Sequence, residues 1–226
     1  MKNVTLEDNN NNIICCFLYG SRVYGTNNEQ SDYDFIAVVK DKHDLKINTE
    51  VIKIAKEKLG IDMKQNIKVD VHPYTEEEFL TGLNGMEVSF LECVSGGFGK
   101  TLFYGKEYEV PKINSTLLRD SFSRKASNSW VKCKKKFIVP EDFNPYIGKK
   151  SAWHSLRILD FGKQVADNGK IIDFGSVNHL YDDVMSLESW EEVEQKYKTV
   201  YNAFATEFKK SAPKEVVISK PQYKNC

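Results

Sequence analysis

Short apolar runs of strand length punctuate the first third of the chain, and longer stretches with a helical repeat fill the rest. Ile13–Tyr19 (IICCFLY) is continuously apolar and bounded by Asn and Gly, the pattern of a buried strand. Tyr33–Val39 (YDFIAVV) is a second strand, rich in aromatic and β-branched residues. From 67 to 72 the chain alternates, with Ile67, Val69 and Val71 on one face and Lys68, Asp70 and His72 on the other. That predicts a short half-buried strand closed by Pro73. Between these two strands, residues 45–59 take up helical spacing, with Gly60 as the stop.

The second half reads as helical. Thr75 is a good N-cap for a helix over 76–83, and 86–94 predicts another, ended by Gly96-Gly97. Longer helices are predicted over 117–137 and 146–168, separated by the turn between Pro140 and Pro145 and stopped by Asn168-Gly169. A last helix over 189–210 carries an apolar stripe of Trp190, Val193, Tyr197, Val200, Tyr201, Phe204 and Phe208. Lys170–Gly175 is expected as a short return segment. The order is that of an α+β protein, with a sheet-forming part over 1–110 and a helical part over 111–226. The polar leader with its Asn run and the tail after Pro213 show no packing pattern.

Composition alters this picture in two places. Lys+Arg and Asp+Glu are both 32, so net charge does not announce a nucleic-acid binder. The charge is unevenly placed, however. Between Arg119 and Lys150 nine basic residues face three acidic ones, a local excess of six. A positive surface beside a carboxylate site favours a polyanionic partner. The five cysteines are odd in number and lack C-x-x-C spacing, which reads as reduced intracellular thiols. No apolar signal core and no run near the roughly 20 apolar residues of a membrane span is present, so a cytoplasmic protein is expected.

The chemistry lies in Tyr19–Val39, YGSRVYGTNNEQSDYDFIAVV. Gly20-Ser21 ends the first strand, and ten residues later comes Asp32-Tyr33-Asp34. Glycine lets a backbone approach a ligand closely, and Ser21 with the following amides can donate to phosphate oxygens. Asp32 and Asp34 share a face of an extended chain. Two such carboxylates repel unless a cation lies between them, and hard oxygens select Mg²⁺ or Mn²⁺. If the third strand pairs beside the second, Asp70 reaches the same place and can act as ligand and general base, with His72 nearby. Alone, D-x-D also marks solvated turns. The run of strand, Gly-Ser, ten residues, D-x-D, strand and a further Asp is the specific signal.

These residues resemble the polymerase-beta-like nucleotidyltransferases. Gly20-Ser21-Arg22-x-x-Gly25 and Ser31-Asp32-x-Asp34-Phe35 are most similar to the small standalone members of bacteria, phages and large viruses. The resemblance covers about residues 13–72. It implies a mixed sheet with flanking helices, two metal ions, an NTP donor, and transfer of a nucleoside monophosphate with pyrophosphate release. It implies further that Asp32, Asp34 and Asp70 form the metal triad, and that Gly20 and Ser21, with Arg22 beside them, bind the nucleotide. It leaves the acceptor open among an RNA end, a protein and a small molecule.

In the helical half, Lys150, His154 and Arg157 stand at i, i+4 and i+7, on one helical face. Trp153, Leu156 and Leu159 take the opposite face. The stripe suits a triphosphate, although spacing alone favours a solvated basic face. A Lys-x-x-x-His-x-x-Arg helix also resembles the helix that comes after the catalytic domain in this group, which implies nucleotide binding. Lys132–Lys136 fits a nucleic-acid patch, but it also fits a solvated helix end. The competing reading of the whole is a regulatory nucleotidyltransferase-fold module without catalysis, such as an antitoxin-like partner.

Overall fold

The computed structural model of the chain describes residues 12–60 and 68–214. Ile67 of the expected third strand, the leader before Asn12 and the tail after Lys214 lie outside the described residues.

Strand β1 (Ile13–Tyr19) pairs antiparallel with β2 (Tyr33–Val39), joined through a single helical turn, α1 (Ser21–Tyr24). Helix α2 (Ile47–Leu59) returns the chain to β3 (Val69–Thr75), which pairs parallel to β2. A short β4 (Leu102–Gly105) runs antiparallel on the far side of β1, so the sheet has the order β3-β2-β1-β4. This is the mixed sheet that the resemblance implied.

The period-two pattern of the strands decides which layer each residue enters. Phe35, Ala37 and Val39 pack on Ile47, Val51 and Ala55 of α2. Ile36 and Val38 face the other way, into a larger core. Cys15 and Cys16 divide likewise between the two layers, as adjacent residues of a strand must. The larger core is completed by α3 (Glu76–Asn84), α4 (Val88–Ser95), α5 (Ser115–Ile138), α6 (Pro145–Asn168), α7 (Tyr181–Ser186) and α8 (Trp190–Ser211). Phe17 of the sheet and Phe122 and Leu156 of the helices belong to this one cluster.

Local chemistry accounts for the ends. Thr75 accepts from the Glu78 amide while Glu78 bonds back to the Thr75 amide, closing a capping box on α3. Asn144 caps α6 and Gly169 ends it in the left-handed region, as Asn168-Gly169 predicts. One expectation is corrected, and two elements were not foreseen. Pro73 does not close the third strand, which runs on to Thr75; β3 is an edge, where a missing N–H is tolerated. Strand β4, only four residues long, has too little pattern to be read from sequence. Helix α7 likewise follows a 3-10 turn at Asn178–Leu180 and was not predicted. Residues 170–175 form no strand or helix, though Ile171 and Phe174 are buried. Cys15, Cys16, Cys93 and Cys133 are free and buried, and burial pushes the Cys15 and Cys133 thiols up to about 12. Among the described residues no helix is long and apolar enough to cross a membrane.

Candidate active site

The site forms where the ends of β1 and β2 meet α5 and α6. Gly20 leaves β1 with φ +81 and ψ −156, and its backbone passes close to Asp34. A Cβ at Gly20 would stand 2.4 Å from Asp34 Oδ2. Only glycine gives both the conformation and the space. The next element, the α1 turn, is closed by Gly25 in the left-handed region, and Asn178 holds it from the helical layer by donating to the Tyr24 carbonyl at 2.7 Å.

In the parallel register Asp34 pairs directly with Asp70, and Ile36 with His72. Neighbours in such a ladder point the same way, so Asp34, Asp70 and His72 project on the face that looks toward the helical layer. Burial pushes the Asp34 carboxyl up, and the negative charges of Asp70 and Asp32 push it further; His72 and Lys150 oppose them. The three acids singled out in the sequence thus share one end of the sheet and sense one another. Asp70, however, accepts from the Lys68 amine at 2.6 Å, with Lys68 itself largely exposed. As the side chains stand, no three Asp, Glu, His or Cys among the described residues surround one point as a metal site.

Two cavities open beside Asp34. The larger, about 580 Å³, reaches from Gly20 and Ser21 across to Lys125 and Lys132 of α5 and to Lys150, His154 and Arg157 of α6. The smaller, about 370 Å³, is lined by Asn28, Gln30, Ser31 and Asp32, with the half-exposed ring of Tyr146 beyond them. Ser21, Asp34 and Lys150 line both, so the two cavities meet at those three residues.

The helical stripe is therefore brought to the site, though not as one solvent-facing row. Lys150 reaches the junction of the cavities. His154 is half-buried in the wall of the larger one. Arg157 has no solvent exposure at all; it is drawn into the core by Glu92 and by the ring of Tyr24. Trp153, assigned from spacing to the opposite face, also lines the cavity, and its indole donates to the Val177 carbonyl at 3.1 Å.

Arg22 is placed differently from the expectation. It lines neither cavity. Its guanidinium donates to the Ser31 carbonyl at 2.6 Å and the Asp32 carbonyl at 3.2 Å, and lies 3.7 Å over the Tyr33 ring. Those contacts tie the two ends of the Gly-Ser to D-x-D loop together, because the loop's carbonyls are the nearest acceptors. Asn28 and Ser31 bond to each other and to the backbone within the same loop.

Sequence reading passed over Lys125, Asn128 and Ser129, and took Lys132 only as part of the Lys132–Lys136 run; all four line the larger cavity. Their spacing of three and four residues along α5 places them on one face toward the cavity. That periodicity was available in the sequence, but without the α5–α6 pairing it looked the same as a solvated stripe.

Residues 3–81 match the family model described as Polymerase beta, Nucleotidyltransferase. No curated protein matches the chain. Among solved structures, spectinomycin adenyltransferase AAD(9) from Enterococcus faecialis, crystallised with ATP and spectinomycin, is 14% identical. The match covers 88% of this chain and 93% of that one at a TM-score of 0.43, a likeness too distant to carry a substrate across. The Gly-Ser and Asp-x-Asp motif falls within the matched span, on the strand-turn-strand described above, so the likeness to the polymerase-beta nucleotidyltransferases belongs to residues 3–81, the part that carries the sheet end and its acids.

Proposed function

We propose that this chain binds an NTP in the larger cavity with Mg²⁺ or Mn²⁺, and transfers its nucleoside monophosphate to an acceptor that enters by the smaller one. The observation that carries the reading is the junction of the two cavities at Ser21, Asp34 and Lys150. A reacting phosphorus must touch both substrates, and the junction is where a donor in one cavity and an acceptor in the other can meet.

The donor set fits a hard divalent cation. Asp32 and Asp34 would hold it, with Asp70 joining once it exchanges the Lys68 amine for the ion. All three offer carboxylate oxygens; burial first, and then the charges of Asp70 and Asp32, raise the Asp34 carboxyl, and a cation among them would offset that cost. Such an ion supplies positive charge to the attacking and leaving oxygens of an in-line displacement.

The chain's own residues do the rest. Lys125, Lys132 and Lys150 bind the phosphate chain as point charges. Ser21 and the first amides of α1 orient it against Gly20, where no side chain intervenes. Asp70 takes the proton of the acceptor hydroxyl as its oxygen bonds to the α-phosphorus. The bond from that phosphorus to the oxygen shared with the β-phosphate breaks, and pyrophosphate leaves with the electron pair. The acceptor is an RNA end or another polyanion, in keeping with the basic excess over 119–150; protein and small-molecule hydroxyls are the alternatives. Pyrophosphate release measured with each NTP and total RNA tests the reaction class. Metal-dependent release supports it, and the absence of release with RNA, protein and small-molecule acceptors alike contradicts it.

Two variants probe the cavity. Gly20→Ala puts a Cβ into Asp34 at φ +81 and ψ −156, a region essentially confined to glycine, at a backbone cost of about 1–3 kcal/mol. Displacing Asp34 should lower kcat by roughly a hundredfold or more, while thermal melting falls only by the strain. A kcat within a few-fold of the parent would show that Asp34 need not sit where it does. Lys125→Ala combined with Lys132→Ala should raise the KM for NTP about tenfold, as loss of about 1.4 kcal/mol of ground-state binding requires, with kcat little changed. Steady-state kinetics separates the two constants; an unchanged KM would remove α5 from the nucleotide site.

A further inference from the structure

Beneath the larger cavity lies a set of polar side chains that the transfer step does not use. Glu92 of α4 and Arg157 of α6 are both buried, with Arg157 Nη2 3.6 Å from Glu92 Oε1. The guanidinium carbon stands 3.2 Å over the Tyr24 ring, and the Tyr24 hydroxyl donates to Glu92 Oε2 at 2.5 Å. Nη2 of the same guanidinium is 2.6 Å from Nδ1 of His154. An arginine has only donors and does not lose its proton in a protein. Nδ1 must therefore accept, and the one proton of the neutral ring is on Nε2. No described residue bonds that Nε2 edge, and the ring lines the cavity.

We propose that Arg157, clamped by Glu92 and Tyr24, is a positioning residue that holds His154 as a neutral imidazole, so that its Nε2–H donates to a phosphate-chain oxygen of the nucleotide. The donor role rests on the reading that the cavity takes an NTP; the tautomer does not.

The charges around the ring all act in one direction. Lys125 and Lys132 of α5 and Lys150 of α6 line the same cavity, and the α1 element contributes only the Tyr24 ring and hydroxyl. Of the carboxylates, Asp34 is on the opposite wall and Glu92 is engaged by Arg157 and Tyr24. A second proton on Nδ1 would confront an Arg157 N–H with another donor. Burial and the Arg157 charge hold the imidazole well below its usual range. A folded value below the unfolded one means that the ring's contribution to stability is complete above about pH 6.5 and is lost as pH falls below it. The cavity therefore presents a donor of fixed sign across neutral pH, and its titratable positive charge comes from lysine.

The test is NMR of the ¹⁵N-labelled full chain without nucleotide. The protein has four histidines, and His154→Gln assigns the resonance. The expected result is an unprotonated Nδ1 and a protonated Nε2 that do not titrate between about pH 8 and about pH 6. A proton on Nδ1, or an ordinary titration near about 6.5, overturns the proposal. Inorganic tripolyphosphate and ATP, added separately, should both shift the Nε2–H resonance. A shift with ATP alone would assign the contact to base or sugar, and no shift with either would remove it; both outcomes overturn the donor role. Retention of labelled ATP, measured in parallel, tells that failure apart from a cavity that takes no NTP. In the charge-free pair Glu92→Gln with Arg157→Gln, His154 should titrate closer to the ordinary range. An unchanged His154 in that variant would remove Arg157 from its role, and the parent spectrum stands as a test even if the variant does not fold.

Discussion

Asp34→Asn is expected to abolish nucleotidyl transfer while leaving the protein at least as stable at neutral pH. The two halves of that expectation share one cause. Asp34 is partly withdrawn from water at the end of β2, paired in register with Asp70 and close to Asp32. Burial and those two charges raise its carboxyl above the ordinary value. A group whose folded value is raised binds its proton more tightly in the fold. Its ionised form therefore costs stability once pH exceeds that raised value. Asparagine removes the cost and keeps the shape. It also removes the carboxylate proposed to hold the metal-nucleotide, so transfer should fall by roughly a thousandfold or more, in line with the loss of a group central to the transition state. Melting curves and turnover on the same preparation check both halves. A variant that melted well below the parent would indicate that Asp34 serves the fold, and one that turned over normally would remove it from the reaction.

Glu92→Ala is expected to be the most damaging single change to stability away from that centre. It leaves Arg157, with no solvent exposure, without its counter-charge, and frees the Tyr24 hydroxyl as well. Breaking one partner of a buried ion pair costs about 3–5 kcal/mol, a large part of the total stability of most domains. Arg157 Nε and Nη1 already lack hydrogen-bond partners, so no second acceptor stands ready to take the charge. Glu92→Gln keeps the Tyr24 contact and should lose less. Denaturant unfolding with an unchanged slope measures the difference; a loss under about 1 kcal/mol in the alanine variant would mean that water or a moved side chain compensates Arg157.

The strand-turn-strand core of the site was legible because its signals are local. Gly20-Ser21 and Asp32-x-Asp34 sit within one turn of the chain, and period two alone puts both acids on one face. The alternation over 67–72 also fixed the side on which Asp70 emerges, and the parallel register then set it beside Asp34. What the sequence did not reveal depends on pairing between distant elements. Whether the face of α5 carrying Lys125 and Lys132 meets a ligand or water depends on how α5 packs against α6. Arg157 looked like the third charge of a surface stripe. Its burial depends on Glu92, 65 positions earlier on a different helix, an ion pair that no periodicity announces. Arg22 lay inside the recognised motif, yet its nearest acceptors are the carbonyls at the far end of its own loop. The 1–110 and 111–226 division followed the change from strand to helix patterning; a single apolar cluster includes Phe17, Leu91, Phe122 and Leu156 from both sides of it.

The most direct test of the central claim is retention of α-labelled NTP by the purified chain, with and without Mg²⁺, compared with the Asp32→Ala, Asp34→Ala double variant. The account predicts metal-dependent binding by the parent, label passing to RNA or another acceptor when lysate is added, and loss of both in a double variant that remains folded. Equal binding and transfer by the two proteins, or no metal-dependent binding by either, would contradict it.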